Sequence, residues 1–504
     1  MLSAKLFPVT ILPALILAFI PVDNDGLKTQ VQGRVFDGHG PVGGARIRWQ
    51  GESCAVTSDD KGNFSIPLSK KKGKRITAWK KGYGIGSGIF HGKSLQLQLG
   101  RLPQDDNYEY KWIDPLPDPK RTNNCGNCHG EIFGEWKGSS HAHSAKNKRF
   151  ISLFAGLDWK GNPSPTWNLL KERPIGSGVC VNCHAPTYHD PQLDGDVRQA
   201  RGVDLQGVHC DYCHKIADAP AKRLGITFGR DGYELLRPKD DTQLFFGPLD
   251  DAHRKGEIFG FSPLYKDSRY CAACHEGIVF GVHVYSTYTE WLASPAKKKG
   301  LHCQDCHMAP TGKMTNIAPG KGGIERDPMT LGSHSFPGAT KKMLQRCLRV
   351  DVTTKRIDDL RQVDVVVSAR NVGHRVPTGF VDRNLVLVVE AFDKDKKRVE
   401  LEKGSRLPAL VGQKLFGQAG YVYAKQLVDE KGKSPIPFWL FPSKTNDTRL
   451  FPGKSDRRTF WFGQSTRRVQ VRLIHRRFWS EVVELKGWPK DDVVVVNRSI
   501  STAD

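Results

Sequence analysis

Five copies of one short motif contain ten of the twelve cysteines of this 504-residue chain. In each copy, two cysteines three positions apart are followed at once by a histidine. C-x-x-C-H is the attachment signature of c-type haem: two thiols bond to the vinyl groups on one porphyrin edge, and the adjoining imidazole binds the iron. The cysteines predicted to hold haem are Cys125 and Cys128, Cys180 and Cys183, Cys210 and Cys213, Cys271 and Cys274, and Cys303 and Cys306. The predicted proximal iron ligands are His129, His184, His214, His275 and His307.

Zinc sites and redox dithiols are the alternative interpretation, because both also use C-x-x-C pairs. Neither needs a histidine directly after the second cysteine, and all five pairs here have one. The motifs therefore favour five covalently bound haem c groups. The two remaining cysteines, Cys54 and Cys347, lie too far apart in sequence to indicate a disulfide, and we predict that both are buried free thiols.

The N-terminal segment has the pattern of a secretion signal. Lys5 precedes an apolar run over residues 6–22 that Pro8 and Pro13 interrupt. No clear small-residue cleavage site follows, so residues 1–25 are predicted to be either a signal peptide or an uncleaved signal anchor. Both alternatives place the rest of the chain in the periplasm or at the cell surface. No later segment is apolar enough to span a bilayer.

Periodicity and composition divide the rest of the chain into three predicted domains. Residues 28–100 alternate apolar and polar positions between Asp/Gly turns, which predicts a small β-sandwich. Residues 105–345 contain every motif and few long periodic runs. They predict a mainly helical or irregular pentahaem domain in which the macrocycles supply apolar surface. Residues 350–504 return to period two and predict a C-terminal β-sandwich. Its clearest strand patterns are residues 363–367, 385–389 and 469–473.

The motif region contains an internal duplication. Glu135-Trp136 and Ser139 follow the first motif, and Glu290-Trp291 and Ser294 follow the fourth in the same spacing. Each unit then leads to a Gly-x-His-Cys step into its next motif, while the motif at Cys180 is an extra one inside the first unit. One position departs from the repeat. Ala296 stands where the first unit has His141, so another residue must supply that ligand, or one iron is five-coordinate.

Two resemblances follow from these patterns. Gly33-x-Val35-x-Asp37, Gly44-Ala45-x-Ile47 and the run from Thr57 to Phe64 resemble a carboxypeptidase regulatory-like domain, which implies a non-catalytic docking or adhesion module. Residues 120–390 resemble the multihaem cytochrome c-552/c-554 family. The residues that carry this second resemblance are the C-x-x-C-H series, Trp136-x-x-Ser139-x-His141, the run that ends at Met308, His334–Gly338 and Gly373–Gly379. It implies extracytoplasmic electron transfer and makes His141, His334 and His374 candidates for distal iron ligands.

Histidine is the expected distal ligand, because the chain has only five methionines but twelve histidines outside the motifs. His209 and His302 hold matching positions just before a motif, so either both are ligands or neither is. His189 and His283 compete with all of these candidates. Bis-histidine iron passes electrons and has no free position for a substrate.

Electron relay through five haems is therefore the favoured function, and whether the chain is also an enzyme stays open. The alternative is a reductase acting on nitrite or hydroxylamine at one open iron. A structural or adhesive surface protein is a third hypothesis. Redox proteins or a membrane quinol-linked donor are the expected partners. Nucleic acid is not expected, since the net charge of +23 is spread along the chain and five haems would remove about ten charges through their propionates. The oligomeric state stays open.

We predict that the mature protein carries five covalent haems. Intact mass spectrometry of a fully matured preparation, compared with the mass calculated for the apoprotein, should show five haem additions. Fewer than five in such a preparation would contradict the count.

Overall fold

The computed structural model describes residues 30–69, 75–189, 195–239 and 242–502. The predicted signal or anchor, residues 1–25, lies outside them. The chain forms two compact units. One comprises the described residues up to Lys80 together with Gly86–Leu99, and the other comprises Lys81–Ile85 and the described residues from Gly100 onwards.

The first unit consists of two four-stranded sheets. Its strands are β1 (Gln30–Asp37), β2 (Gly40–Pro41), β3 (Arg46–Trp49), β4 (Ala55–Thr57), β5 (Asn63–Pro67), β6 (Arg75–Trp79), β7 (Gly86–Ile89) and β8 (Leu95–Gln98). One sheet has the order β2-β1-β5, with β8 parallel to β1, and the other has the order β4-β3-β6-β7. Alternate residues of β1 are buried, as expected for a strand with one face on a core.

The turn before β5 shows why the Asp/Gly patterns predict strands. The side chain of Asp59 accepts hydrogen bonds from the backbone N–H groups of Lys61 (2.9 Å) and Asn63 (2.7 Å). Gly62 has φ +78°, and a Cβ there would lie 2.3 Å from the carbonyl oxygen of Val35. Only glycine fits this position without strain.

The second unit contains short helices, most of them in the motif region. They are α1 (Gly130–Lys137), α2 (Lys148–Ala155), α3 (Leu169–Glu172), α4 (Val181–His184), α5 (Cys210–Cys213), α6 (Arg269–His275), α7 (Thr287–Leu292), α8 (Pro295–Lys298), α9 (Cys303–His307), α10 (Lys341–Cys347) and α11 (Ser480–Leu485). Three two-stranded sheets lie between them, made by β9 (Ile216–Asp218) with β10 (Glu234–Leu235), β11 (Gln243–Gly247) with β12 (Glu257–Phe261), and β13 (Glu276–Val279) with β14 (Val282–Ser286).

Two larger sheets follow the motif region. Their strands are β15 (Leu348–Ile357), β16 (Leu360–Ala369), β17 (Asn384–Phe392), β18 (Arg398–Val399), β19 (Leu401–Lys403), β20 (Gly420–Val428), β21 (Lys444–Asp447), β22 (Ser455–Gly463), β23 (Arg468–Arg476) and β24 (Val493–Ser501). The sheet orders are β15-β16-β22-β19 and β21-β20-β17-β23-β24, with β18 beside β17. Buried residues of both sheets, such as Val365, Leu387 and Phe460, share one core.

A second core joins the motif region to the strands that follow it. Phe154 and Val181 belong to the same buried cluster as Trp439, Trp479 and Val482. The segment with the motifs therefore buries apolar side chains against residues from the C-terminal third of the chain.

The structure has many strands in several sheets and a central region with few and short helices. The three strand patterns predicted between residues 363 and 473 lie in β16, β17 and β23. The domain boundaries near residues 105 and 350 stay predictions. Among the described residues, no helix has the length and apolarity needed to cross a membrane. The prediction of two buried free thiols is wrong, because Cys54 is exposed and Cys347 is half-buried.

We predict that the first unit is dispensable for haem loading, because its core residues, such as Val35, Ile47 and Ile66, pack within it. Deletion of residues 28–99, with the N-terminal leader kept, should preserve the haem spectrum. Ile66→Asp tests the same point without shortening the chain, since a carboxylate at this fully buried position should unfold the sandwich. Loss of haem in both variants would show that the unit is needed for haem loading.

Candidate functional site

Each C-x-x-C-H motif lies at a helical turn. The first begins with a short 3-10 helix, Cys125–Asn127, and the other four lie in or next to α4, α5, α6 and α9. Residues three apart on a helical turn lie on the same face, so both thiols of a motif can address one edge of a flat ring. The ten motif cysteines are all partly buried.

Backbone carbonyls fix the orientation of four motif histidines. In each case the Nδ1–H group donates to a carbonyl oxygen: His129 to Ile317 (2.9 Å), His184 to Ser144 (3.1 Å), His214 to Phe246 (2.5 Å) and His307 to Pro337 (2.8 Å). This hydrogen bond selects the tautomer in which Nε2 keeps its lone pair, which is the form that binds a metal. These acceptors lie 30 to 188 residues from their histidines, and the sequence did not indicate them.

Two pairs of imidazoles face each other at one spacing. The ring centroids of His141 and His275 are 6.3 Å apart with an interplanar angle of 60°, and those of His307 and His374 are 6.3 Å apart at 20°. Two imidazoles bound to one metal ion at about 2 Å each would have centroids about 6 to 6.5 Å apart. Each pair thus has the spacing of the two axial ligands of one iron.

Burial keeps three of these imidazoles, those of His141, His275 and His374, neutral. Burial lowers the pKa of His141 to about 4 and that of His275 to about 3, and burial also lowers the pKa of His374. A neutral imidazole can bind a metal, whereas the protonated form cannot. The Nδ1–H group of His374 donates to the carbonyl of Arg375 (2.9 Å), which leaves Nε2 to face His307.

The internal duplication is visible in the geometry of the two units. The indole Nε1–H of Trp136 donates to the carbonyl of Val208 (2.8 Å), and that of Trp291 donates to the carbonyl of Leu301 (2.8 Å). Val208 and Leu301 each lie two residues before the first cysteine of a motif. The same tryptophan contact therefore joins the two motifs of each unit.

His209 and His302 hold equivalent positions, as their sequence context predicts. Both are the N-cap residues of motif helices. The Nδ1 atom of His209 accepts a hydrogen bond from the N–H of Tyr212 (3.4 Å), and that of His302 accepts one from the N–H of Ser268 (3.1 Å). These contacts give both residues a structural role at Nδ1, and their role as iron ligands stays a prediction.

The third distal candidate, His334, lies in a loop beside His141. Phe336 in this loop contacts the rings of His141 (centroids 4.5 Å apart) and His334 (5.9 Å). His334 is close enough to His214 and to His129 to interact with each electrostatically, and burial lowers its pKa to about 4. The other two histidines considered are placed differently. His283 Nε2 contacts Glu276, and His189 is exposed.

Ala296, the position where the repeat lacks a histidine, packs next to the His374 loop. A Cβ added to Gly373 would lie 3.2 Å from the Cβ of Ala296 and 3.2 Å from Cδ1 of Trp291. The small side chains at positions 296 and 373 thus allow the loop to approach the second unit closely, and the next residue of that loop, His374, faces His307.

Thiol contacts show which motifs are neighbours. Three cysteine pairs are in side-chain contact: Cys125 with Cys210, Cys183 with Cys274, and Cys271 with Cys303. The Tyr270 hydroxyl also donates to the carbonyl of Cys213 (2.9 Å), which joins the third motif to the fourth. The order in space is therefore first, third, fourth and fifth, with the second motif beside the fourth.

Buried polar side chains between the motifs were missed in the sequence. Asp211 lies inside the third motif and Lys215 directly after it, and the two form a fully buried ion pair. Asp211 also accepts hydrogen bonds from the Tyr110 hydroxyl (3.0 Å) and from the backbone N–H of Ile113 (2.9 Å). The sequence could have indicated this ion pair. Asp211 and Lys215 have opposite charges and lie four positions apart at a haem-attachment motif, and charged side chains that are buried are usually paired.

Comparisons with known proteins found a matching family and similar solved structures. The family described as "Cytochrome c554 and c-prime" matches residues 124–215. The chain is also similar to a penta-heme cytochrome c552 from Thermochromatium tepidum, at 21% identity and a TM-score of 0.55, over 75% of this chain and 97% of that one. No curated protein matches the sequence. The two matches support a multihaem c-type cytochrome with an electron-transfer or redox function.

The buried pair Asp211–Lys215 should be important for stability. Asp211→Ala leaves a buried ammonium without its carboxylate, which costs about 3–5 kcal/mol, and we expect a clearly lower melting temperature of the holoprotein by calorimetry. Glu484→Ala breaks the exposed pair Glu484–Lys490 and serves as the control, with an expected change below about 1 kcal/mol. Equal melting temperatures for the two variants would contradict this prediction.

Proposed function

We propose that this protein is an extracytoplasmic cytochrome that relays electrons through five covalently bound haem c groups. The observation that carries the proposal is the pair of facing imidazole couples, His141 with His275 and His307 with His374, at the spacing of axial ligands. The five motifs supply the attachment chemistry. The family match over residues 124–215 covers three of the five motifs.

Bound haem c would supply reversible one-electron chemistry at iron. The residues of the chain have separate tasks around it. The motif thiols fix each macrocycle covalently, and the carbonyl partners of the motif histidines fix the imidazole planes. Histidines on both faces of an iron leave no position for a substrate.

Three distal ligands are assigned in the proposal. His141 serves the iron of the fourth motif and His374 that of the fifth, as the ring spacings support. His334 and His374 hold equivalent places in the two units. Each is followed three positions later by a proline, and each lies in a loop that hydrogen-bonds to the glutamate of its unit, Glu135 or Glu290. We therefore assign His334 to His214, with which it interacts electrostatically.

The contacts between motifs support a relay. Because Cys125 contacts Cys210 and Cys271 contacts Cys303, the porphyrin edges attached there would lie close together within each pair. The expected partners are redox proteins or a membrane quinol-linked donor. The predicted secretion signal supports a location of the relay in the periplasm or at the cell surface.

A reductase acting on nitrite or hydroxylamine is the second candidate, and the surroundings of the second motif favour it. Phe150 stacks on the His184 ring, with centroids 3.7 Å apart and an interplanar angle of 13°. Tyr285 interacts electrostatically with Cys180, Cys183 and the half-buried Arg383. A phenol and a guanidinium near one motif could bind an anion if the iron there lacked a distal ligand.

We predict that the reduced wild-type protein does not bind carbon monoxide, because the proposed relay closes every iron, those of the first and second motifs by ligands other than His141, His334 and His374. His374→Ala should create one high-spin iron, since the iron of the fifth motif loses its distal ligand. The carbon monoxide difference spectrum of the reduced variant should then correspond to binding at one of the five haems. His143→Ala is the matched control, because His143 is exposed and next but one to His141. Carbon monoxide binding by the wild type, together with turnover of nitrite or hydroxylamine, would support the reductase instead. An unchanged spin state in His374→Ala would show that His374 is not a ligand.

A further inference from the structure

The two Glu-Trp helices make the same contact with the two distal-histidine loops. Glu135 and Glu290 each precede the tryptophan of their unit. The Glu135 carboxylate accepts hydrogen bonds from the backbone N–H of His334 (2.7 Å) and the hydroxyl of Ser333 (2.9 Å). The Glu290 carboxylate accepts from the backbone N–H of Arg375 (3.2 Å), the residue after His374.

We propose that Glu135 and Glu290 are positioning residues that hold the loops of His334 and His374 in the geometry needed for iron ligation. This inference rests on the proposed function and adds to it the residues that keep two irons closed. Neither carboxylate is assigned to an iron. Each acts on the iron only through the loop that it binds.

The loops need such an anchor because neither belongs to a helix or a strand. Their histidines lie 199 and 84 positions after the glutamates, so no local hydrogen-bond pattern sets their place. Phe336 has a φ angle of +43°, a region that large side chains seldom adopt, and Asn371, a residue type that tolerates this region, has a φ of +51°. A strained loop keeps its conformation only when surrounding contacts fix it.

Glu290 forms the more extensive of the two contacts. The Thr378 hydroxyl donates to it (2.7 Å), so its carboxylate binds the His374 loop at two points. Arg449 pairs with it at 2.7 Å, and both side chains are about 5% exposed. Arg449 also pairs with Asp447 (2.8 Å), which pairs in turn with Arg375 (3.3 Å). The loop is therefore held by a chain of alternating charges that has a buried part, Glu290 with Arg449, and a more exposed part, Asp447 with Arg375.

This arrangement predicts a specific consequence of losing one carboxylate oxygen. Glutamine at position 290 keeps the side-chain size, but one of its two polar atoms is an NH2 group. The hydroxyls of Thr378 and Ser286 can turn to accept from that group, whereas the backbone N–H of Arg375 and the guanidinium of Arg449 can only donate. Because these two obligate donors face different oxygens of Glu290, either orientation of the amide loses one of them, and the loop loses a direct contact or the arginine that supports it. The loop should then sample positions in which His374 is away from the iron.

The experiment compares Glu290→Gln, Glu135→Gln and His374→Ala in the full-length holoprotein. For each we would measure the high-spin fraction by electron paramagnetic resonance and the stoichiometry of carbon monoxide binding after reduction. We expect both glutamine variants to bind up to one carbon monoxide per chain, against none in the wild type. Added imidazole should return the ferric spectrum to low spin, because it replaces a displaced ligand but cannot repair a misfolded chain.

Glu172→Gln is the matched control. Its carboxylate also accepts a short hydrogen bond, from the indole N–H of Trp439 (2.6 Å), but it binds neither histidine loop. This variant should remain low-spin and should not bind carbon monoxide. Thr378→Val is a milder second variant, which removes one donor to Glu290 without changing charge and should give a smaller, imidazole-reversible high-spin fraction.

The outcomes separate this inference from the proposed function. If His374→Ala opens one iron while Glu290→Gln and Thr378→Val behave like the wild type, the ligand assignment holds and the positioning role is overturned. If Glu290→Gln fails to load haem, Thr378→Val and Glu135→Gln decide, and wild-type spectra for both overturn the proposal. If His374→Ala itself stays low-spin, the ligand assignment fails, and with it the inference at Glu290.

Discussion

The pairing of imidazoles across a shared site is the constraint on which the rest of this structure depends. His141 faces His275, and His307 faces His374, at a separation that a single metal ion would bridge. His141 and His374 lie outside helices and strands, so the backbone polar groups of their segments must find partners other than those of regular helices and sheets. Part of the solution is to use the ligands themselves, since the imidazole Nδ1–H groups donate to loop carbonyls such as those of Ile317 and Pro337.

The same constraint joins the motif region to the strands that follow it. His374 lies in the loop between β16 and β17, and this loop is bound by Glu290 of α7 and, through Arg375, by Asp447 of β21. The shared core in which Val181 and Trp479 both lie buries apolar surface across the same boundary. Ligand supply and apolar burial thus both connect the motif region to the strands that follow it, while the domain boundary near residue 350 stays a prediction.

Local patterns were sufficient to predict many elements of this fold. The strand patterns of β16, β17 and β23, the Asp59–Gly62 turn and the five motifs each depend on residues within about ten positions of one another, where spacing carries the information. The pairing of histidines could not be predicted in this way. His141 and His275 are 134 positions apart, and only the closed fold decides that they meet. The burial of Cys54 was predicted wrongly for a related reason, because exposure depends on the whole fold.

The duplication also explains why the missing histidine at position 296 leaves no gap. His141 lies in the first unit, but it faces His275 of the first motif of the second unit. A histidine at this position of one unit therefore pairs with a motif histidine of the next unit. Residues 308–504 contain no further C-x-x-C-H motif, so a histidine at position 296 would have no motif of a following unit to face within these residues. Alanine there instead allows Gly373 to pack closely, which lets His374 face His307. Under the proposed ligation, alanine at position 296 has two effects. The second unit supplies no histidine to a following unit, as His141 does for the second, and the loop of His374 has room to reach the iron of the fifth motif.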